Sequence, residues 1–287
     1  MKKLIIGIAT IVVLTGGYAG AKVYASQIAE KKIEKAVTKA SKYAQINYEN
    51  VSVNLLNQGV HISDVVVAPV NSKEKFYINE IIVHNFDKKS DIPILVDISL
   101  NGIKLDLKKL GNDLKEINEL GYKDQLSLNF AIKFNYDDQQ KKLNLEKLTV
   151  GADEVGDIAI SFQLGNFNLD SKPLIAAIMN PQLALHSAKI TYHDDSLTER
   201  LFKVAAKEDN MSVEDFKKRR IEKIQQQIDK EDDPFTKSAL QEVIVFINNP
   251  KSFSISATPE KPLPLGNIMM INEPKDAVKL LNIKIKS

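Results

Sequence analysis

The sequence predicts an α+β protein, with an N-terminal transmembrane helix, a mostly antiparallel curved β-sheet in meander order and a C-terminal helical block. Three observations support this class: an uncharged apolar run near the N-terminus, repeated alternation of apolar and polar residues through the middle of the chain, and three helix-start signals nearer its end. The predicted divisions are a membrane anchor or uncleaved signal at 1–21, a juxtamembrane helix at 22–44, an antiparallel β-sheet domain at 45–195, and a helical block with terminal strands packed on the sheet at 196–287.

The N-terminal segment predicts a membrane anchor. After the start MKK, no charged residue occurs from Leu4 to Ala21, and a helix of this length spans about 27 Å, close to the hydrocarbon thickness of a bilayer. The alternative is a cleaved signal peptide, with its cleavage site at Ala19-Gly20-Ala21. We favour a retained anchor because the apolar run is longer than that of most signal peptides, and because a helical pattern continues beyond it without a Pro or Gly break.

Two signals conflict over which side of the membrane the chain occupies. Several lysines follow the apolar run, at Lys22, Lys31, Lys32, Lys35 and Lys39, and the positive-inside rule would keep them in the cytoplasm. Long domains, however, are translocated largely regardless of charge, and a short basic start followed by an apolar run is typical of exported chains. We therefore expect a single-pass protein of the inner membrane with the bulk of its chain in the periplasm.

The sheet domain is predicted from eight segments of strand-like pattern, at 46–56, 59–70, 75–86, 93–107, 125–136, 142–150, 155–169 and 183–193. Short turns separate most of them, which favours antiparallel hairpins over parallel βαβ units. In the second segment the alternation changes phase, because Val60 and Ile62 share one phase while Val65 and Val67 share the other. This change predicts a β-bulge near Asp64, or a strand covered on both faces.

Helices are predicted within and after the sheet domain. Two short ones are expected at 108–121 and 173–180, and three longer ones near 196–207, 213–230 and 234–248, before strands at 252–259 and at the C-terminus. Ser196 and Ser212 each precede an acidic residue by three positions, which is the spacing of a capping box. Asp233 before Pro234 combines an N-cap with the proline that favours the first helical position.

The strand at 125–136 divides most cleanly into an apolar and a polar side. Together with the strand at 155–169 it is expected to form one shared apolar face, made of Leu126, Leu128, Phe130, Ile132, Phe134, Ile158, Ile160, Phe162 and Leu164. One interpretation is an ordinary packed core. The other is a lipid-facing groove, a less common arrangement that gains some support because the strong helices come mainly after the sheet and leave part of its apolar face without a covering layer.

Composition excludes several classes of function. The net charge of +2 provides no field for nucleic acid, and arginine, the preferred phosphate ligand, occurs only at Arg200, Arg219 and Arg220. The absence of cysteine excludes disulfides, thiol catalysis and thiolate metal sites. No motif for a nucleotide, a cofactor or a catalytic triad occurs, so no cofactor is expected.

One cluster has the residue types that chemistry needs. His193-Asp194-Asp195-Ser196 combines an imidazole, two carboxylates and a hydroxyl, which suit metal binding or proton transfer. The same residues precede a predicted helix, where acceptors for free N–H groups are favoured, and we prefer this structural interpretation. Other histidine and carboxylate groupings, namely His61 with Asp64 and the pair Asp137-Asp138, are interpreted as turn or bulge residues. We therefore expect a protein that is not an enzyme.

The segment YAQINYENVSVNLLNQGVHISDVVVAP at 43–69 carries a family resemblance. Its pattern consists of Ile46, Tyr48, Val51, Val53, Leu55, Gly59, Val60, Ile62, Val65 and Val67. Following a membrane helix and a short amphipathic helix, it resembles the N-terminal region of AsmA-like proteins of Gram-negative inner membranes, and the layout of the periplasmic DUF945 family. The AsmA-like resemblance implies lipid transport between the two membranes along a β-groove.

The expected function is therefore that of a membrane-anchored periplasmic protein that binds membrane lipid or another hydrophobic envelope component, in envelope homeostasis or lipid transport. Ten strands side by side reach only about 45–50 Å, so one copy suits holding a lipid or capping a longer bridge. The second hypothesis is a structural or assembly partner of another envelope protein, which would present a sheet edge or the helical block.

Overall fold

The computed structural model describes residues 33–34, 37–38, 41, 43–54, 59–70, 74–89, 92–108, 115–122, 124–169, 180–271 and 273–287. The predicted anchor at 1–21 and nearly all of the predicted helix at 173–180 lie outside these residues. Of the helix predicted at 22–44, the described residues 33–34 and 37–38 are helical, whereas Ser41 and Tyr43 lie in turns and Ala44 begins a strand, so the predicted C-terminal bound is wrong. Within the described residues, no helix combines the length and apolar character needed to cross a membrane.

Nine of the twelve described strands precede the three longer helices, which lie in the last third of the chain. The strands are β1 (Ala44–Asn47), β2 (Asn50–Asn54), β3 (Gly59–Pro69), β4 (Phe76–Lys89), β5 (Ile92–Asp106), β6 (Gln125–Asp137), β7 (Lys142–Ala152), β8 (Gly156–Gly165), β9 (Ala184–Asp194), β10 (Ser252–Ala257), β11 (Leu263–Pro264) and β12 (Ile283–Lys286). The helices are α1 (Lys115–Glu119), α2 (Leu197–Glu208), α3 (Val213–Lys230), α4 (Pro234–Asn248), α5 (Leu265–Met269) and α6 (Pro274–Leu281).

All these strands belong to one sheet. Its order is β1-β3-β4-β5-β6-β7-β8-β9-β10-β12, with β2 also paired to β3 and β11 also paired to β9. Every pairing is antiparallel, and the path from β3 to β9 follows the chain order as a meander. The prediction of an α+β protein with a mostly antiparallel curved sheet and C-terminal helices is confirmed.

Residues that face each other across antiparallel strands point to the same side of a sheet, so the register defines rows that cross it. Row 1 consists of Val60, Val83, Ile98, Ile132, Leu148, Ile160, Ile190, Ile255 and Ile285. Row 2, two residues along each strand, consists of Ile62, Ile81, Leu100, Phe130, Val150, Ile158, Tyr192 and Phe253. Between them on the opposite face runs a row of small and polar character, made of His61, Ile82, Ser99, Ala131, Thr149, Ala159, Thr191, Ser254 and Lys286. The sheet therefore has one apolar and one polar face over a width of about 38 Å.

The packed core occupies the N-terminal end of the apolar face. Ile81, Ile98 and Leu100 are completely buried in it. Ile33, from the helical residues before β1, is buried in the same cluster, and Val37 packs against it. These contacts show that the first strands are covered by the chain that precedes them.

The phase change predicted in β3 is a feature of three neighbouring strands. Asp64 has a positive φ of 51°, and residues on both sides of it remain buried because β4 and β5 change phase in step with β3. In β5 the change occurs at Gly102, where φ is +70° and an added Cβ would collide with the side chain of Asn79. Strand β6 keeps its regular alternation, so the register between β5 and β6 shifts between Leu100 and Ile103.

Two of the predicted helix starts have the expected caps. The Ser212 hydroxyl accepts a hydrogen bond from the backbone N–H of Asp215 (3.0 Å), and the Asp233 carboxylate accepts one from the backbone N–H of Thr236 (2.8 Å). The bond from the Thr236 backbone N–H is the main cause that lowers the pKa of Asp233, followed by a bond from the Thr236 hydroxyl at 2.8 Å. The bounds of α3 and α4 match the prediction residue for residue, because local cap chemistry determines where these helices begin.

The capping box predicted at Ser196 and Glu199 is wrong. The Ser196 side chain makes no cap hydrogen bond, and Asp194 instead accepts from the backbone N–H of Thr198 at 2.8 Å. The reason is competition, because the Ser196 hydroxyl donates to the backbone oxygen of Glu154 on the neighbouring β7–β8 hairpin. Glu199 forms an ion pair across to α3.

Other boundaries also differ from the predictions. The strand predicted at 46–56 is two strands, β1 and β2, which pair with different parts of β3. The strand predicted at 155–169 ends at Gly165. Of the helix predicted at 108–121, α1 is described, and Gly121 follows it with a φ of +72°, as a helix stop requires.

Candidate functional site

The apolar face changes from buried to exposed along each row. In row 1, Ile98 is 0% exposed, whereas Ile190 is 52% and Ile255 is 45% exposed. In row 2, Leu100 is 0% exposed, whereas Val150 is 53% and Ile158 is 49% exposed. We call the four exposed residues Val150, Ile158, Ile190 and Ile255 the apolar patch. Such a contiguous group of exposed β-branched side chains is a feature of interaction surfaces and binding grooves.

The members of the apolar patch are close neighbours in the sheet. Val150 lies directly opposite Ile158 across β7 and β8, and Ile190 lies directly opposite Ile255 across β9 and β10. Half-buried Ile160 joins the two pairs, because it lies opposite Ile190 and two residues from Ile158. The patch is therefore one continuous surface that spans four strands.

The C-terminal helices cover only one border of this surface. The Phe246 ring of α4 lies 6.2 Å from the Tyr192 ring and 5.7 Å from the Phe253 ring, centroid to centroid, so it packs on the last two members of row 2. The patch side chains beside them remain about half exposed, so the described part of the chain leaves them incompletely covered. The result is an apolar surface with the core at one side and α4 at the other.

Charged pairs of the sheet lie on the opposite face. On that face the Lys133 ammonium lies 2.6 Å from the Glu146 carboxylate, whose hydrogen bond raises the pKa of Lys133. Asn129 donates to Asp153 at 2.7 Å, and His61 lies 2.6 Å from Glu80. Each member of rows 1 and 2 is aliphatic or aromatic, so their side of the sheet offers methyl and ring surface with almost no polar group.

The nine residues predicted to face lipid all lie on the apolar face, with different degrees of cover. Leu128, Phe130, Ile132 and Phe134 of β6 pack against the N-terminal core cluster, and Leu164 packs against a smaller buried cluster. Leu126, Ile160 and Phe162 are half-buried, and Ile158 is exposed. Strand β7 lies between the two predicted strands, so Leu145 and Leu148 complete the surface. Contact of these residues with lipid stays a prediction.

Sequence reasoning did not single out Val150, Ile190 and Ile255. Each lies in a segment that was predicted as a strand, so the alternation of those segments was the available signal. What the sequence lacked was the cross-strand register, which places the three residues beside Ile158. The predicted surface therefore shares only Ile158 with the apolar patch.

In the cluster His193-Asp194-Asp195-Ser196, the Asp194 carboxylate caps the start of α2. Besides its bond from the Thr198 N–H, Asp194 accepts hydrogen bonds from the Thr198 hydroxyl (2.8 Å) and from the Tyr192 hydroxyl. Burial, followed by the bond to Asp194, raises the pKa of Tyr192. His193 points to the polar face, where its Nδ1 lies 3.2 Å from Asp157. Among the described residues, no group of three or more histidines and carboxylates is placed to hold a metal ion.

Arg200 connects α2 to α1. Its Nη1 donates to the backbone oxygens of Leu120 and Gly121, each at 2.9 Å, and its Nε donates to the Ser196 hydroxyl at 2.9 Å. The guanidinium lies 4.2 Å from the centroid of the Tyr122 ring. These contacts satisfy carbonyls at the end of α1 and join three parts of the chain, which is a structural role.

Asp137 and Asp138 lie in a turn, as predicted. The Asp137 carboxylate accepts from the backbone N–H groups of Gln139 and Gln140, at 2.9 and 3.0 Å, and Asp138 pairs with Lys141 in the same turn. Asp64 is exposed at the phase change. The His61 imidazole contacts Glu80 of the neighbouring strand.

Comparison with known proteins finds a matching family model and a relative. A family model described as an uncharacterized protein matches residues 149–287, from the end of β7 to the C-terminus. An uncharacterized protein of Aquifex aeolicus (strain VF5) is 24% identical over 234 residues, which cover 75% of this chain and 74% of that protein. Neither description states an activity, a ligand or a partner, and neither mentions the AsmA-like or DUF945 families, so that resemblance stays a prediction.

Proposed function

We propose that this chain is a membrane-anchored periplasmic protein that binds lipid, or another hydrophobic component of the envelope, on the apolar patch and has no enzymatic activity. Its role would be in envelope homeostasis or lipid transport. The observation that carries the proposal is the exposure of about half of each patch side chain on an otherwise well-packed sheet. The N-terminal apolar run supports the membrane anchor and the periplasmic location.

Covering the patch would release a useful amount of free energy. Complete burial of an aliphatic side chain is worth about 1.5–3 kcal/mol, so covering the exposed half of four such side chains is worth about 3–6 kcal/mol. Part of this is lost to the entropy of ordering the ligand. The remainder supports reversible capture of a hydrocarbon chain, which is what a carrier or a transfer surface requires.

The chemistry of the surface favours hydrocarbon over an extended polypeptide segment. Strands β7, β8 and β9 are each hydrogen-bonded to neighbours on both sides, so their backbone groups are not available to an added strand. The patch itself offers only methyl and methylene groups. An acyl chain has no polar groups to satisfy, whereas an extended peptide backbone laid on this surface would lose its hydrogen bonds to water.

The test is native mass spectrometry of the full-length protein extracted from its own cells in mild detergent. The wild-type protein is expected to carry lipid. The double variant Ile158→Glu/Ile255→Glu is expected to lose it, because two carboxylates would then lie in the surface that holds the hydrocarbon.

The control is Ala159→Glu/Ser254→Glu, which adds the same charge to the adjacent residues of the same strands on the opposite face. It is expected to retain lipid. Wild-type protein without any co-purifying lipid, or equal lipid loss in both double variants, would contradict the proposal. Circular dichroism of both variants shows whether the sheet is intact.

A further inference from the structure

A second apolar surface lies on the helical block, away from the strands of the patch. It is a groove of about 510 Å³ among α2, α3 and α4. Its apolar lining consists of Leu201, Phe202, Ala205, Phe216, Ile224 and Ile247. Leu201 is 48% exposed, so the groove is open to solvent along α2.

The charges of the groove have one sign. Arg220 and Lys223 line it together with the apolar residues, and no carboxylate is among its lining residues. Two neighbouring cations of α3 are occupied, since Lys217 pairs with Glu199 at 2.5 Å and Arg219 lies 3.7 Å from Asp209. Within the described part of the chain, Arg220 and Lys223 form no ion pair.

The Arg220 guanidinium is held in a position that suits recognition of an acidic group. Its guanidinium carbon lies 4.8 Å from the centroid of the Phe216 ring, which forms part of the groove lining. Stacking on a ring fixes the plane of a guanidinium and leaves its N–H groups directed outward at the edge. An acidic group beside the groove would therefore meet a preorganised donor.

The shape of the groove indicates what would fill it. Its lining residues on α3 run from Phe216 to Gln227, at three- and four-residue spacing, over about 17 Å or three helical turns. A groove of this length between helices matches the apolar stripe of a short amphipathic helix, whose anchors recur at i, i+3, i+4 and i+7.

We propose that this groove, defined by Leu201, Phe216, Ile224 and the cations Arg220 and Lys223, binds an amphipathic helix of a partner protein with acidic residues beside its apolar stripe. The positive charges of Arg220 and Lys223 are complementary to negative charges on that partner. The site is separate from the apolar patch, so the inference does not depend on lipid binding.

The test uses the full-length protein and a fluorescein-labelled peptide of about 16 residues, with leucines at i, i+3, i+4 and i+7 and glutamates flanking them. A matched peptide has lysines in place of the glutamates. Fluorescence anisotropy is expected to show the glutamate peptide binding about tenfold more tightly than the lysine peptide. Arg220→Glu/Lys223→Glu is expected to reverse this preference.

The control variant is Lys218→Glu, an exposed position on α3 that does not line the groove. It is expected to leave the preference unchanged. The proposal is overturned if the wild-type protein does not bind the glutamate peptide, or if both peptides bind equally. It is also overturned if Lys218→Glu acts like the double variant.

An anionic lipid headgroup is the competing occupant. Vesicles containing phosphatidylglycerol test it. If they displace the glutamate peptide, and if this displacement depends on Arg220 and Lys223, the groove is assigned to lipid. The expected result is that such vesicles do not displace the glutamate peptide. The unfolding midpoints of all variants are measured alongside, and Ile158→Glu/Ile255→Glu is expected to bind the peptide like the wild type.

Discussion

Two isoleucines of row 1 provide a matched test of where the sheet is covered. Ile98 and Ile190 have the same side chain, lie in the same row and occupy strands with neighbours on both sides, but they are 0% and 52% exposed. Ile98→Ala removes buried groups and leaves a cavity, so we expect it to cost about 3–4 kcal/mol of unfolding free energy. Ile190→Ala removes three carbons that are only half buried and leaves no enclosed cavity, so we expect about 1 kcal/mol.

The assay is urea unfolding of the full-length protein in mild detergent, followed by circular dichroism, with equal denaturant slopes required for the comparison. We expect the two costs to differ by about 2 kcal/mol or more. Costs that agree within about 0.5 kcal/mol would mean that β9 is as well covered as β5, and would refute the reasoning. Bound lipid stabilises the folded state, and Ile190→Ala removes part of the surface that binds it. Added lipid should therefore increase the cost of Ile190→Ala and leave the cost of Ile98→Ala unchanged.

Three further predictions concern the parts that hold the fold. Arg200→Ala removes three hydrogen bonds and a ring contact, so we expect a loss of about 2–3 kcal/mol in urea unfolding, with Arg200→Lys recovering less than half of it. Gly102→Ala places a methyl group against Asn79 at a positive φ, and should cost about 2 kcal/mol or more by the same measurement. The pKa of Asp233 is lowered by its bonds from Thr236, so its contribution is present above the unfolded-state pKa and is lost as the pH falls through the folded-state value. The difference in unfolding midpoint between the wild type and Asp233→Asn should therefore be constant above about pH 5 and shrink below about pH 4.

These predictions have separate refutations. An Arg200→Lys variant as stable as the wild type would show that the planar donor geometry is unimportant. A Gly102→Ala variant of unchanged stability would show that the phase change tolerates an ordinary residue. A midpoint difference for Asp233→Asn that does not decline as the pH falls below the unfolded-state pKa would exclude the ionised carboxylate as the cap of α4.

The helices could be located from sequence because their starts are set locally. The caps at Ser212 and Asp233 need only residues within one turn, so α3 and α4 were predicted to the residue. The start of α2 shows the limit, since a backbone oxygen on a distant hairpin engages Ser196, and Asp194 becomes the acceptor. Contacts between segments far apart in the chain leave no trace in a local pattern.

The apolar face shows the same limit on the scale of the sheet. Alternation predicted that β6 and β8 each have an apolar side, which is a property of single strands. It did not distinguish Ile98 from Ile190, because both alternate equally well and only one lies beneath other parts of the chain. Register and cover are both long-range properties, so the position of the patch on β7 to β10 required the structure.

The most direct test of the account is photo-crosslinking in living cells. A benzophenone amino acid is placed at position 190 in one strain and at position 191, on the opposite face of the same strand, in another. After irradiation, mass spectrometry of the purified protein should show lipid adducts at position 190 and few or none at position 191. Adducts at position 190 that consist only of protein, or equal lipid labelling at both positions, would contradict lipid binding on the apolar patch.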